Sequence, residues 1–304
     1  MRKPYQARRN RTRLVVLSLL VTTVVAVWRC YFAQPPATTE SLYPGVRYER
    51  RVWRKPRPVT LHLLVIDTRT PGLRFLVTPP DNPGTDRPLV ARTTSEFLRE
   101  RGLQVAINAD FFYPWNSDGP FDHYPHRRDP VTVEGDAVSE GVRYATRDAK
   151  WLETLYLSRD NRPSLAPPKG GVPWNAVGGH ALLRNGVAQT GSAYDKTVAD
   201  PRTAVGFSPG GDTLYFVCVD GRQPGYSDGM TLVELAGFFR SLGVRDAINL
   251  DGGGSTTLVV ADGKRRSRVL NRPIDQRFPG KERYVANHLG LYAMPLTTEG
   301  NNRR

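Results

Sequence analysis

Cysteine is almost missing from this chain. Only Cys30 and Cys218 occur in 304 residues, which excludes a structural disulfide framework, so any argument for export rests on other features. Cys218 sits inside the apolar run 214–219, where a thiol acts as a small buried hydrophobe. No short-period repeat is present, which sets aside a solenoid or propeller array. Acidic residues are outnumbered, 29 against 43 basic, for a formal charge of +14. Six of the basic residues (Arg2, Lys3, Arg8, Arg9, Arg11, Arg13) fall within the first thirteen positions, without an acid among them. Further basic clusters at 50–57 and 264–268 favour polyanionic surroundings or substrates. Neither is interleaved with aromatics in the manner of a nucleic-acid module, and no nucleic-acid partner is expected.

Long hydrophobic runs are also scarce, with one exception. Residues 14–28 are apolar apart from Ser18, Thr22 and Thr23. As a helix, fifteen residues span roughly 22 Å, short of the roughly 30 Å hydrocarbon core. Extension to Phe32 closes the gap if Arg29 snorkels. The run lacks a small-x-small cleavage site, so the reading is a single-pass signal-anchor at 14–32 with the basic tail 1–13 in the cytoplasm and the rest of the chain extracytoplasmic, periplasmic or extracellular. A Pro/Thr-rich linker follows at 33–42, then one domain at 43–296 and a polar, disordered tail at 297–304. An apolar content of 39% with 24% charged residues suits an ordinary globular domain.

What the chain does have is a concentrated polar motif. Residues 246–260 read Asp-Ala-Ile-Asn-Leu-Asp-Gly-Gly-Gly-Ser-Thr-Thr-Leu-Val-Val. In an extended chain Asn249 and Asp251 project to one face. Gly252, Gly253 and Gly254 remove every Cβ just beyond them, and so admit close backbone approach to a ligand. Ala-Ile-Asn-x-Asp occurs a second time, with Asn108 and Asp110 in the corresponding places. Each copy follows a predicted helix that closes in glycine, 93–101 with Gly102 and 231–242 with Gly243. If both strands share one sheet, their ends place two amides and two carboxylates around a single crevice. Thr231-x-x-Glu234 is a capping box, which assigns Glu234 to structure.

The remaining pattern is strand-rich. Residues 59–67 and 73–77 flank a Thr-Arg-Thr-Pro-Gly turn and read as a hairpin. Strands are also predicted at 151–157, 214–219, 247–250 and 257–261, with Asp262-Gly263 as a hairpin turn. Two helices among these strands predict an α+β fold: a strand-rich single domain with mixed β-sheet, preceded by the anchor helix. Arg202 follows Asp-Pro before one strand, and Asp220-Gly-Arg222 follows the next. Both arginines offer forked donors for phosphate or carboxylate, and Asp220 stands at a strand end.

Taken in order, Pro201-Arg-Thr-Ala-Val-Gly206, Asp220-Gly-Arg222, Ser227-Asp-Gly-Met-Thr-Leu-Val-Glu-Leu-Ala236, Asn249-Leu-Asp-Gly-Gly-Gly-Ser-Thr256 and Val285-Ala-Asn287 resemble the phosphodiester glycosidase family. Asn108-Ala-Asp-Phe-Phe112 and Gly178-Gly-His-Ala-Leu-Leu183 resemble its upstream motifs. The resemblance implies a hydrolase that cleaves a sugar-1-phosphodiester in an extracytoplasmic glycan or exopolysaccharide, with no cofactor. On that basis Asp251 is the expected carboxylate at the anomeric carbon and Asp220 its acid/base partner. Arg202 is expected to hold phosphate, helped by Arg222 and the backbone of Gly252, Gly253 and Gly254, with Ser255 alongside. Asn108, Asp110, Asn249 and Asn287 are expected to meet the sugar. His180 and the loop 115–130 depart from the family pattern. Asp122, His123, His126 and Asp129 have metal-donor types but lack fixed helical spacing, so no metal is assigned and the loop reads as a substrate cover. Two alternatives stay open: a non-catalytic module binding anionic glycan at the membrane surface, and hydrolysis at phosphorus instead of carbon.

Overall fold

The computed structural model describes residues 33–119, 122–146, 152–263 and 266–295, together with Ser18 and Thr22. Apart from Ser18 and Thr22, the anchor lies outside the described residues, as do the basic tail and the C-terminal tail; among those described, no helix is long and apolar enough to cross a membrane.

Two antiparallel sheets pack face to face. The larger has twelve strands, and its main path runs Thr38–Tyr43, Val46–Trp53, Val59–Asp67, Thr213–Val219, Arg202–Phe207, Asp246–Asn249, Asn175–Arg184, Ala137–Ser139, Val142–Ala145. The smaller runs Ser267–Val269, Leu258–Ala261, Val105–Asn108, His288–Tyr292, Arg74–Val77. Alternation along each strand explains the layering. Leu64, Ile66, Phe216 and Ile248 of the large sheet meet Ile107, Leu258, Leu289 and Phe75 of the small one. Leu61, Leu63, Ala204 and Ala247 face the other way.

That outer face is covered by helix Leu232–Ser241, which buries Leu235, Ala236 and Phe239 against it. Helix Thr94–Arg101 covers the small sheet with Phe97 and Leu98. Both begin in capping boxes, Thr231 with Glu234 as its sequence announces and Thr93 with Glu96 as the structure adds. Glu234 also pairs with Arg57, so its carboxylate is occupied by structure. A further, short α-helix runs Ala193–Thr197.

The domain is strand-rich with few helices, as expected, but four expectations change. The paired strands are antiparallel throughout, not mixed. Val59–Asp67 and Arg74–Val77 are not a hairpin: the first pairs with Val46–Trp53 and Thr213–Val219, the second with His288–Tyr292. Their turn carries the chain from one sheet to the other, and alternation with turn chemistry looks alike in both cases. The stretch read as linker supplies the edge strand Thr38–Tyr43. Finally, the two Ala-Ile-Asn-x-Asp strands lie in different sheets, Val105–Asn108 in the small one and Asp246–Asn249 in the large one.

Candidate active site

The two repeated segments meet where the sheets converge. Asp251 N donates to Ala109 O at 2.9 Å, and Asn108 Nδ2 donates to Asp251 O at 2.6 Å. Asn108 Oδ1 accepts from the Thr203 hydroxyl at 2.8 Å and from Thr257 N at 3.0 Å. Asn108 is therefore a buried clasp between sheets with its polar groups engaged, and not a sugar ligand. Leu250 is fully buried in the inter-sheet core, so the chain is pinned on both sides of Asn249 and leaves the core at Asp251.

On the helix side of the large sheet, Ala204, Asn249 and His180 stand abreast across three strands. Arg202 is two residues before Ala204 and projects from the same face. The three glycines then follow a course set by their neighbours. A Cβ on Gly252 would lie 2.7 Å from Pro201 O, one on Gly253 3.1 Å from Arg222 Nη1, and one on Gly254 2.4 Å from Arg283 Nη2. Gly253 also has φ +58°. The glycines thus admit the Pro201 backbone and two guanidinium groups. The N–H of Gly253 is committed to Pro201 O at 2.9 Å, which corrects the expectation that this amide is offered to phosphate.

The result is a cavity of about 740 Å³ whose lining includes Asp251, Asn249, Gly252, Gly253, Gly254, Arg202, Arg222, Arg283, Glu134, His180 and Trp115. Asp251 is half-buried. Burial pushes its carboxyl up to about 6, opposed by the Ser255 hydroxyl and the Arg283 charge and reinforced by Glu134. Ser255 itself is buried behind the loop and accepts from Arg283 Nη1 at 3.3 Å. Burial lowers the imidazole of His180, which stacks on Phe111 at 4.6 Å between centroids.

The arginines differ in what neutralises them. Arg222 makes a forked pair with Asp200, at 2.8 and 3.0 Å. Arg283 is held by Asp275 at 2.8 Å. Arg202 is 5% exposed, and its guanidinium donates to main-chain carbonyls, Met230 O at 3.0 Å and Val198 O at 2.8 Å. Among the described residues no carboxylate pairs with it. A buried guanidinium left in that condition calls for an anion. Asn249 Oδ1 is likewise buried without a hydrogen-bond partner, although its Nδ2 is bound to Leu250 O at 2.9 Å.

Three other sequence candidates stand away from the cavity. Asp220 is 1% exposed. Its Oδ2 receives the Tyr226 hydroxyl at 2.9 Å and meets His62 Nε2 at 3.0 Å, while Oδ1 accepts from Arg272 N at 2.8 Å and Asn271 Nδ2 at 3.1 Å. A carboxylate enclosed in this way joins strand ends to the 271–272 segment and has no path to a substrate in the cavity. Asp110 is also enclosed; its Oδ2 accepts from Gly135 N at 3.0 Å, and burial pushes the carboxyl up to about 8. Asn287 is fully buried and uses Oδ1 to accept from Asp110 N at 2.8 Å.

Glu134 and Arg283, neither of them a sequence candidate, line the cavity instead. Glu134 directly follows strand Pro130–Val133 and precedes a glycine, so its signal in the sequence is a charged strand end. Arg283 comes from an irregular segment, 270–285, with no local signal. The loop after Phe112 does border the cavity, through Tyr113 and Trp115. Its His126 pairs with Asp122 at 2.7 Å and Asp129 at 3.2 Å, all on the surface. Among the described residues no group of three or more His, Cys, Asp and Glu is gathered as a metal site.

The charges around Asp251 give a prediction with opposite signs. Arg283 favours its ionised form and Glu134 disfavours it. If ionised Asp251 is required for activity, the acid limb of the pH–rate profile lies near 6. Arg283→Gln is then expected to move that limb to higher pH, and Glu134→Gln to lower pH. Shifts in one direction for both variants would remove Asp251 as the group reporting that limb.

Comparisons with known proteins agree with this architecture. The bovine N-acetylglucosamine-1-phosphodiester alpha-N-acetylglucosaminidase is 30% identical over 210 residues, 61% of this chain and 36% of the relative. Its human counterpart is 30% identical over 199 residues, 61% of this chain and 37% of the relative. The chain thus spans little more than a third of the length of either. The structure of the zebrafish enzyme's catalytic domain, auto-inhibited by its pro-peptide, matches with TM-score 0.60 at 20% identity, covering 85% of this chain and 88% of that one. A hypothetical protein from Synechocystis matches with TM-score 0.53 at 16% identity, covering 86% and 64%. The family profile for phosphodiester glycosidases spans residues 101–292, well over half of the sequence and all of the cavity's central loop, and the chain belongs to the phosphodiester glycosidase family.

Proposed function

We propose that this protein hydrolyses a sugar-1-phosphodiester at the anomeric carbon, releasing free sugar and a phosphomonoester. The observation that carries the reading is a buried Arg202 without a carboxylate partner, lining the same cavity as a half-buried Asp251 whose carboxyl is pushed up to about 6 by burial. Arg202 supplies the fixed positive charge that a phosphodiester requires. Phosphate is already a weak base, so its departure needs little protonation, and the demanding task is to stabilise an oxocarbenium-like carbon. Asp251 does this as nucleophile or as base toward water. Glu134, a second carboxylate of the cavity lining whose charge acts on Asp251, takes the acid/base role, and Asn249 Oδ1 accepts from a sugar hydroxyl. In bond terms, C1–O(phosphate) breaks, the phosphate keeps its bridging oxygen, and water delivers hydroxyl to C1.

The sequence relatives are named for an N-acetylglucosamine-1-phosphodiester, which makes that compound the first to assay. The apolar run behind a basic tail supports an extracytoplasmic setting, with a membrane-proximal phosphate-containing glycan or exopolysaccharide as substrate. The test is turnover of an N-acetylglucosamine-1-phosphodiester by the full chain, read as reducing sugar together with phosphomonoester. Salt-sensitive binding without product would favour an anionic-glycan-binding module, consistent with the charge of +14.

A further inference from the structure

Among the described residues only four aromatic side chains are exposed: Tyr113 at 40%, Trp115 at 46%, Tyr194 at 51% and Phe278 at 47%. Three of the four, Tyr113, Trp115 and Tyr194, line the one cavity described above. Exposed apolar surface concentrated at a cavity mouth marks a binding surface.

The three do not share one location. Successive glycines order the cavity: Pro201 and Arg202 lie against Gly252, Arg222 against Gly253, and Arg283 against Gly254. Tyr194 belongs to the first end, with the Arg202 guanidinium 5.6 Å from its ring centroid. Trp115 belongs to the other, 5.4 Å from the Arg283 guanidinium. The indole is further fixed by His123, edge-on at 5.7 Å. It is therefore a propped ring, still nearly half exposed, at the end of the cavity away from the phosphate-holding arginine. Tyr113 is two residues away. Sugar rings present apolar C–H faces that stack on aromatic rings, while their hydroxyls remain in water.

We propose that Trp115 and Tyr113 form a stacking subsite for a sugar unit beyond the one that reacts, so that the preferred substrate is an oligosaccharide 1-phosphodiester. This rests on the sugar-1-phosphodiester reading of the site. With phosphate at Arg202 and the reacting sugar over Asp251, the chain of sugars leaves the cavity past Trp115. The enzyme then releases a whole saccharide from its phosphate, and binding energy from the distal unit is available to the reacting one.

The experiment compares mono- and trisaccharide 1-phosphodiesters carrying the same aglycone and the same reacting sugar. The expected trisaccharide preference in kcat/KM is on the order of tenfold in the wild type, falling close to one in Trp115→Ala and reduced in Tyr113→Ala. The ratio is taken within each variant, which cancels any common change transmitted through Arg283. In parallel, the phosphate-free trisaccharide is titrated against tryptophan emission, with a saturable change expected in the wild type and absent in Trp115→Ala. Equal rates on both substrates, or a preference that survives both substitutions, would overturn the subsite while leaving the glycosidase reading intact. Absence of product from either substrate with the emission change retained would count against the glycosidase reading and leave the subsite standing. No emission change in the wild type would overturn the subsite whatever the turnover.

Discussion

Asp251→Asn is expected to reduce turnover of a sugar-1-phosphodiester by on the order of 10²–10⁴-fold or more without lowering the melting temperature. The activity loss follows from removing the carboxylate that adjoins the glycine loop and meets the developing oxocarbenium centre. Stability is unaffected or improved for a separate reason. Burial raises the Asp251 carboxyl to about 6, so above that pH the fold carries a charge it disfavours. The sign follows from linkage: with the native value raised above the unfolded one, protonation stabilises the fold, and this contribution is lost as pH rises from about 4 through about 6. An uncharged amide removes the penalty. Asp220→Ala is expected to do the reverse. It leaves the Tyr226 hydroxyl, Arg272 N–H and Asn271 amide facing an empty site, at a cost of about 3–5 kcal/mol. Activity per folded molecule should persist. A folded Asp220→Ala protein without turnover would restore Asp220 to the reaction.

Arg202→Met is expected to lower kcat/KM by about 10²–10³-fold, the usual effect of removing one preorganised donor from a developing anion. Inhibition by the phosphomonoester product should weaken with it. The fold should tolerate the change, since a buried cation paired only with carbonyl oxygens contributes little net stability and a similarly sized apolar chain is often neutral or better. Arg202→Lys is not expected to restore activity. The guanidinium is aimed by two simultaneous bonds, Nε to Met230 O and Nη2 to Val198 O, and an ammonium cannot reproduce that fork. Arg222→Met provides the comparison, because Arg222 is already compensated by Asp200; its smaller expected effect separates the phosphate holder from a structural ion pair.

Local chemistry was readable in the sequence, whereas partnership between distant segments was not. Both principal helices, the Thr231–Glu234 capping box and the strand leading to Asn249 follow from patterns a few residues long. So does the special nature of Gly252, Gly253 and Gly254, although their purpose differs: they make room for Arg222 and Arg283 as well as for backbone. The repeated Ala-Ile-Asn-x-Asp segments mislead because a strand-end asparagine serves a clasp as well as it serves a ligand. Asn249 keeps an unpartnered oxygen in the cavity, while Asn108 uses both ends of its amide to join the sheets. Asp220 misleads likewise. Its position after a strand suggests exposure, and only the arrival of His62, Tyr226 and the 271–272 segment encloses it. Arg283 depends on Asp275 and Trp115, neither of them near the glycine loop in sequence, and no periodicity announces such a meeting.

The central claim is cleavage at carbon, and hydrolysis in ¹⁸O-labelled water tests it most directly. Scission of the C1–O bond requires the phosphomonoester to be released with unlabelled oxygens and the label to appear on C1 of the sugar. Label in the phosphomonoester, with phosphate left on the sugar or transferred through phosphorus, would contradict the assignment of Asp251 to the anomeric centre and of Arg202 to the leaving group.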